Sequence, residues 1–250
     1  MLNKSEGIVL KSIDYGETHK IVTIFTNRYG KLSTIARGAK KPRSRMAAIT
    51  QPFVKSDFLL DIKKGLSVIK QGQIVNPFRA IREDIIKTAN ASYISELTDK
   101  FLDPFNVELT LYEQFDHTLK WIEKKPMETV TIPILMYELK LYEIGGIAPE
   151  TEHCLRCRKI NYPIYFSVSE GGLLCSNCVH VDEFATKLPD NVAKLIHIFK
   201  NTPLERVRNI SVKKENQLLL RSLLDTYYET YGGYPLKTKK FLNQLKHLTE

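Results

Sequence analysis

The four cysteines of this 250-residue chain fall in two pairs, Cys154-Leu-Arg-Cys157 and Cys175-Ser-Asn-Cys178, with 17 residues between the pairs. Each C-x-x-C turn presents two thiolates from one tight knuckle, and two knuckles at this separation match the spacing of a four-thiolate zinc site. Four thiolates complete the tetrahedron and leave no position for a reacting water. The expected role is therefore structural: one zinc ion per chain, folding a four-cysteine insertion at residues 151–184 that is too short to build its own core. The segment Tyr162–Glu170, followed by Gly171-Gly172, reads as a β-hairpin that brings the knuckles together. A pair of disulfides is disfavoured in a chain with no secretory pattern, and a redox C-x-x-C would be single and sit at a helix start. His153 and His180 flank the cluster, but four thiols already fill the shell.

A second chemistry is written in charge. The chain holds 37 Lys/Arg and 28 Asp/Glu, for a formal net charge of +9. Residues 1–80 contain 15 basic and 5 acidic residues, whereas residues 81–250 contain 22 and 23, so the whole excess lies in the first third. From His19 to Ser56 there is no carboxylate. Carboxylates normally intersperse with Lys and Arg on a neutral surface, so this stretch reads as a polyanion-binding face rather than a merely solvated one. The candidate contacts are Arg28, Lys31, Arg37, Lys40, Lys41, Arg43 and Arg45. Four of them lie in Gly38-Ala-Lys-Lys-Pro-Arg-Ser-Arg45, expected as a mobile, proline-containing loop. Cations lining a groove can track a phosphate backbone. Among the neighbouring aromatics Tyr15, Phe25, Tyr29, Phe53 and Phe58, each is a better core residue than a base-stacking one, with Tyr29 in a turn the least core-like. Nothing suggests base-edge readout, so weak sequence preference is expected.

These residues must be positioned by elements of two kinds. Short apolar runs near Gly7–Ile13, Lys20–Thr26, Lys31–Arg37, Pro52–Ile62 and Leu66–Val75, with turn residues between them, predict five strands in residues 1–78. Five strands followed by helix suggest a small closed barrel, an OB-fold by preference, with an SH3-like barrel as the alternative. From Ala80 the apolar period becomes helical: Ile81, Ile85, Ile86, Ala89 and Tyr93 mark one face, and Leu111, Phe115, Leu119 and Ile122 another. A third helix is expected over about Val130–Ile144, stopping at Gly145-Gly146. Others are expected over Asn191–Lys200, Glu215–Tyr231 and Lys239–His247. The fold class is α+β: an OB barrel over residues 1–78 and a helical domain over 79–250 that carries the zinc-ribbon-like insertion.

Several function classes are excluded or weakened. No apolar run approaches the ~20 residues of a membrane span. The start, MLNKSEGIVLKS, is charged and lacks an apolar h-region, so a cytoplasmic location is expected. No phosphate-binding glycine loop, dinucleotide fingerprint, H-E-x-x-H or nucleophile elbow occurs, so no nucleotide cofactor and no catalysis are expected. The six histidines are scattered, and the acidic pairs Glu83-Asp84 and Asp182-Glu183 read as helix N-terminal charges. The residues leave open a DNA-binding protein, an RNA-binding OB protein and a zinc-ribbon assembly adaptor, with a metal-dependent nuclease as a weaker alternative.

The run from Gly7-Ile-Val-Leu-Lys-Ser-Ile-Asp-Tyr-Gly-Glu-Thr-His-Lys-Ile-Val-Thr-Ile-Phe-Thr through Gly30-Lys-Leu to Ala36-Arg-Gly-Ala-Lys-Lys-Pro-Arg-Ser-Arg45 resembles the start of the bacterial RecO family. The resemblance continues through the helical middle and the knuckles to Phe241-Leu-Asn-Gln-Leu-Lys246. It implies an N-terminal OB-fold on a helical domain with a zinc-ribbon-like insertion. It implies binding of single- and double-stranded DNA, annealing of complementary strands, and work with RecR in RecF-type repair to help RecA replace the single-strand-binding protein SSB. Contact with the acidic SSB C-terminal tail and a nucleoid-associated location are implied as well, but no motif fixes the tail pocket.

Overall fold

The alternating apolar residues of the first third close into a barrel. In the computed structural model, which describes residues 2–126, 129–207 and 212–249, strands β1 (Leu2–Tyr15), β2 (His19–Thr26), β3 (Gly30–Ala36), β4 (Lys55–Asp61) and β5 (Ser67–Asn76) form a closed sheet in the order β1-β2-β3-β5-β4. All neighbouring pairs are antiparallel except β3 with β5. This is the OB-fold barrel that the strand count suggested. Val9, Val22, Ile24, Leu32, Leu60 and Ile69 fill its interior, because alternate side chains of a strand reach the same face.

Two features of the barrel lie beyond the expected pattern. β1 starts at Leu2 rather than Gly7, and its polar first turn of chain pairs with β4, Lys4 opposite Leu59 and Ser5 opposite Phe58. There the backbone ladder, not an apolar face, holds the strand, so no hydrophobic alternation announces it. The second is a short helix, α1 (Arg45–Ile49), where the sequence reads as loop; Ser44 caps it by accepting a hydrogen bond from Met46 N at 3.2 Å. Ile49 presses α1 onto the barrel over Gly72, where a Cβ would lie 2.9 Å from Ile49 Cδ1 and 3.2 Å from Phe58 Cδ1. A side chain there would have to push the end of Ile49 aside.

Helices α2 (Arg79–Arg82), α3 (Ile85–Phe101), α4 (Leu109–Lys124) and α8 (Lys237–Thr249) complete the first compact unit, Met1–Val130 with Leu236–Glu250. The apolar face that began at Ile81 is broken by Asp84, whose carboxylate caps α3 by accepting from Ile86 N (2.8 Å) and Lys87 N (3.0 Å). Phe25 of β2 meets Tyr112 of α4 edge-on with ring centroids 5.4 Å apart. Lys55 of β4 bridges Glu6 of β1 (2.9 Å) and Asp116 of α4 (3.0 Å), while the Tyr112 hydroxyl donates to Glu6 Oε1 at 3.0 Å. Burial pushes the Lys55 ammonium down, but hydrogen bonds to the two carboxylates outweigh it and raise its pKa. Glu96 of α3 accepts Thr238 N at 2.9 Å, which returns α8 to this unit. Contacts thus group the barrel with α2, α3, α4 and α8.

The second unit, Thr131–Pro235, is built on α5 (Thr131–Ile144), α6 (Asp190–Asn201), α7 (Lys214–Tyr231) and a small sheet of β6 (Ile164–Ser167), β7 (Gly172–Cys175) and β8 (Thr186–Leu188) in the order β7-β6-β8. The hairpin expected around Gly171-Gly172 is β6–β7; the third strand, only three residues long, was not foreseen. α5 is apolar nearly all round and is the unit's central helix, with Leu135, Met136, Tyr137 and Leu139 buried. Its one buried carboxylate, Glu138, is held by Arg221 of α7, one contact being 2.7 Å. Among the described residues no helix is long and apolar enough to cross a membrane.

Because Glu138 has no access to water, Arg221→Met is expected to destabilise the protein by about 3–5 kcal/mol through the uncompensated carboxylate. The double variant Glu138→Leu/Arg221→Met is expected to regain most of that in urea titrations. A double variant no more stable than the single one would show that packing, not charge, dominates the site.

Candidate functional site

The segment Gly38–Ser44 leaves the end of β3 and is tied at its root to the turn joining β1 and β2. Gly38 N donates to His19 Nδ1 at 2.9 Å, which places the ring proton of neutral His19 on Nε2. Lys40 N donates to Thr18 O at 2.9 Å, and Lys40 Nζ pairs with Asp14 Oδ2 at 2.9 Å. That hydrogen bond, reinforced by the charge of Lys40, holds the Asp14 carboxyl below its ordinary range. Arg37, Lys41 and Arg43 are exposed and form no ion pair among the described residues. Beside them Ile13 and Tyr15 are about half exposed.

Arg45 leaves this group. As the first residue of α1 it joins Arg28 at a groove of about 940 Å³ that lies over β1, β4 and β5. Two further cations line the groove, Lys4 of β1 and Lys70 of β5, and neither was singled out from sequence. A lysine at an outward position of a polar strand start is a signal only once the strand pairing is known. Lys4, Arg28, Arg45 and Lys70 are all exposed and in no ion pair among the described residues. The carboxylates at the groove are Glu6, already bound by Lys55, and Asp57, which is exposed. Phe58 forms its buried floor.

Lys31 does not join either group. Its ammonium lies 3.3 Å from Asp99 Oδ1 and donates to the Asp99 carbonyl, so its charge is turned toward α3. The aromatic expectations also change. Phe25, Phe53 and Phe58 are buried as expected. Tyr29, however, packs against the barrel core and donates its hydroxyl to Asn3 Oδ1 at 3.2 Å, so the exposed aromatic is Tyr15.

The cysteines converge. The four Sγ atoms lie within 4.8 Å of one another, no disulfide joins them, and neither His153 nor His180 belongs to the group. The first knuckle is closed by Arg158 N donating to Cys154 O (3.0 Å) and the second by Cys178 N donating to Cys175 O (2.9 Å). They are clasped by Leu155 N to Leu173 O (2.9 Å) and by Leu173 N to Glu150 O (3.0 Å). Tetrahedral coordination with bonds of about 2.3 Å separates sulfurs by about 3.8 Å, and Cys157 and Cys175 stand at 3.7 Å. The donor set thus fits a thiophilic metal ion. Burial pushes the Cys154 thiol up, but backbone N–H groups of Cys157, Cys175 and Arg156 outweigh it and bring it to about 6. Burial and the neighbouring sulfurs push Cys178 up to about 12. A cluster that ionises one thiol readily and resists the last is one that a cation would complete.

Asp182 is not a helix N-terminal charge. It ends the short turn Val179–Val181 after the second knuckle and accepts hydrogen bonds from Ser167 Oγ, Ser169 Oγ (3.0 Å) and Phe184 N (2.9 Å). The Ser167 bond is the main cause that lowers its pKa, and burial opposes it.

Two family profiles match the chain: Recombination protein O N terminal over residues 1–78 and Recombination protein O C terminal over residues 82–240. Curated relatives match along nearly its whole length. The DNA repair protein RecO of Oceanobacillus iheyensis is 49% identical across 98% of this chain and 94% of its own. Those of Bacillus subtilis and Halalkalibacterium halodurans are 38% and 37% identical, each across 99% of this chain.

A carboxyl with a lowered folded pKa stabilises the fold fully above its unfolded value, and that contribution is lost as pH falls through the folded value. The Phe184 amide reports Asp182 directly. Its NMR shift is expected to titrate with a midpoint below the ordinary aspartate value of about 3.9, and Asp182→Asn should flatten the curve. A midpoint at or above that value would contradict the hydrogen-bonded carboxylate.

Proposed function

The chain belongs to the RecO family of DNA repair proteins, and from that premise we propose that it is a non-catalytic recombination mediator whose barrel binds DNA and anneals complementary strands. The observation that carries this reading is the set of exposed, unpaired cations on the OB barrel: Arg28, Arg37, Lys41, Arg43 and Arg45, with Lys4 and Lys70 beside them. Each neutralises part of a phosphate backbone, releases counterions and lowers the repulsion between two strands, and none of this needs ATP. Lys40 contributes while sharing its charge with Asp14. In the proposed pathway the protein acts with RecR to load RecA onto SSB-coated DNA, and it meets SSB through the acidic C-terminal tail. The metal is proposed to be zinc, held by Cys154, Cys157, Cys175 and Cys178 in a closed structural site; bound, it would supply the cation that lets all four thiols ionise together.

The test is annealing of two complementary labelled DNA strands coated with the cognate SSB, without nucleotide, at two salt concentrations. Wild type is expected to anneal less as salt rises. For single strands the log–log salt slope of binding is about −0.7 per phosphate contact, so Lys40/Lys41/Arg43/Arg45→Ala should flatten it by about 3. Tight binding of RNA with failure on DNA would instead favour the RNA reading, and no nucleic-acid binding at all would favour an assembly adaptor. For the metal, Cys175→Ser is expected to lower zinc from one ion per chain and to lower the melting temperature. Full zinc retention with unchanged melting would refute a structural site.

A further inference from the structure

Resting on the DNA-binding reading above, we infer that the barrel holds two single strands at once: one at the Gly38–Arg43 loop and a second, by its phosphate backbone, in the groove over β1, β4 and β5. The two cationic surfaces are anchored at different ends of β1 and meet only where Arg43 of the loop stands two residues before Arg45 of the groove. The loop is tied to Asp14 and His19, whereas the groove begins at Lys4 and Ser5. Asp14 lies ten positions beyond Lys4, a path of about 33 Å along an extended strand at ~3.3 Å per residue. The Asn27-Arg28 edge of the groove likewise lies at the far end of β2 from His19.

The two surfaces also differ in kind. The loop side exposes an aromatic and an aliphatic side chain, Tyr15 and Ile13, on which bases can stack. The groove exposes no aromatic: Phe58 is 1% accessible, and the outward side chains across β5 are Lys70, Gln71 and Gln73. Its four cations, Lys4, Arg28, Arg45 and Lys70, face Asp57 as the only exposed carboxylate among the lining residues. Such a groove grips phosphate and gives bases nothing to stack on, so a strand in it presents its bases outward. That is the state a complementary strand must meet in order to pair.

The experiment counts oligonucleotides per chain. A homopyrimidine DNA of about 6 nucleotides, within the ~4–16 nucleotide range of one OB fold, is titrated at low salt and read by native mass spectrometry and fluorescence anisotropy. Wild type is expected to bind two per chain. Lys4→Ala/Lys70→Ala should bind one, and Lys41→Ala/Arg43→Asn should bind one; Asn is chosen because residue 43 has φ +59°, which Asn tolerates. Tyr15→Ala should weaken only the oligonucleotide that survives in the groove variant. Each double variant should lose annealing by at least about tenfold, as two phosphate contacts are removed, with circular dichroism and melting unchanged. One oligonucleotide per wild-type chain, or a groove variant that binds and anneals as wild type does, would overturn the two-strand inference and leave the DNA-binding reading standing. No binding by wild type would overturn both.

Discussion

A strand can serve two neighbours in a closed barrel only if it turns from one to the other, and β1 makes that turn at its bulge. Its first seven residues, Leu2 to Ile8, pair with β4, while Gly7 to Tyr15 pair with β2, and the register shifts between Val9 and Lys11. The extra residue accentuates the twist that lets five strands close. Everything proposed for the barrel depends on this one strand. Its polar start carries Lys4 to the groove, Glu6 to the buried Lys55, and its far end carries Asp14 to the root of the basic loop. Without the bulge one of these two ends would lose its partner strand.

The charged residues divide according to whether a partner is within reach. Lys31 is neutralised by Asp99 and Lys55 by Asp116 and Glu6, and the Lys31–Asp99 and Lys55–Asp116 pairs join barrel strands to α3 and α4. Glu138 and Arg221 do the same between α5 and α7 in the second unit. Buried pairs of this kind add little net stability over apolar contacts but penalise any packing that separates them. Lys4, Arg28, Arg37, Lys41, Arg43, Arg45 and Lys70 have no such restraint among the described residues. That division explains why a count of basic residues in sequence overstates the surface available to a polyanion and also misplaces part of it.

Much of this was legible beforehand. The five strands, the cysteine cluster and the main helices follow from period and spacing, which are local properties of the chain. The pairing of Lys31 is not legible in sequence for the opposite reason: its partner Asp99 lies 68 positions away. Lys4 and Lys70 were overlooked because only the β1–β4–β5 register brings them together across Leu59 and Gln71. Tyr29 resembled a turn residue open to solvent, yet Asn3 and the barrel core claim it. Helix α1 packs where Gly72, lacking a Cβ, leaves room for the end of Ile49. Sequence patterns reveal which face of an element is apolar; they do not reveal which charged group waits on the facing element.

A protein that brings complementary strands together need not supply the energy of pairing. Stacking contributes about 1.4 kcal/mol per base-pair step, so ten steps provide far more than a few phosphate contacts can. What opposes the encounter is the repulsion of two polyanions and the disorder of their bases. A handful of unpaired cations meets the first obstacle, and because their contacts weaken steeply with salt they leave the product duplex free to depart. In the two-strand arrangement proposed above, the second would be met by holding one strand by its backbone with its bases outward. A deeper cleft lined with aromatics would bind single strands more tightly and for that reason would resist giving them up to each other. On the proposed reading, the groove over β1, β4 and β5, which exposes no aromatic, would be better suited to handing a strand on than to storing it.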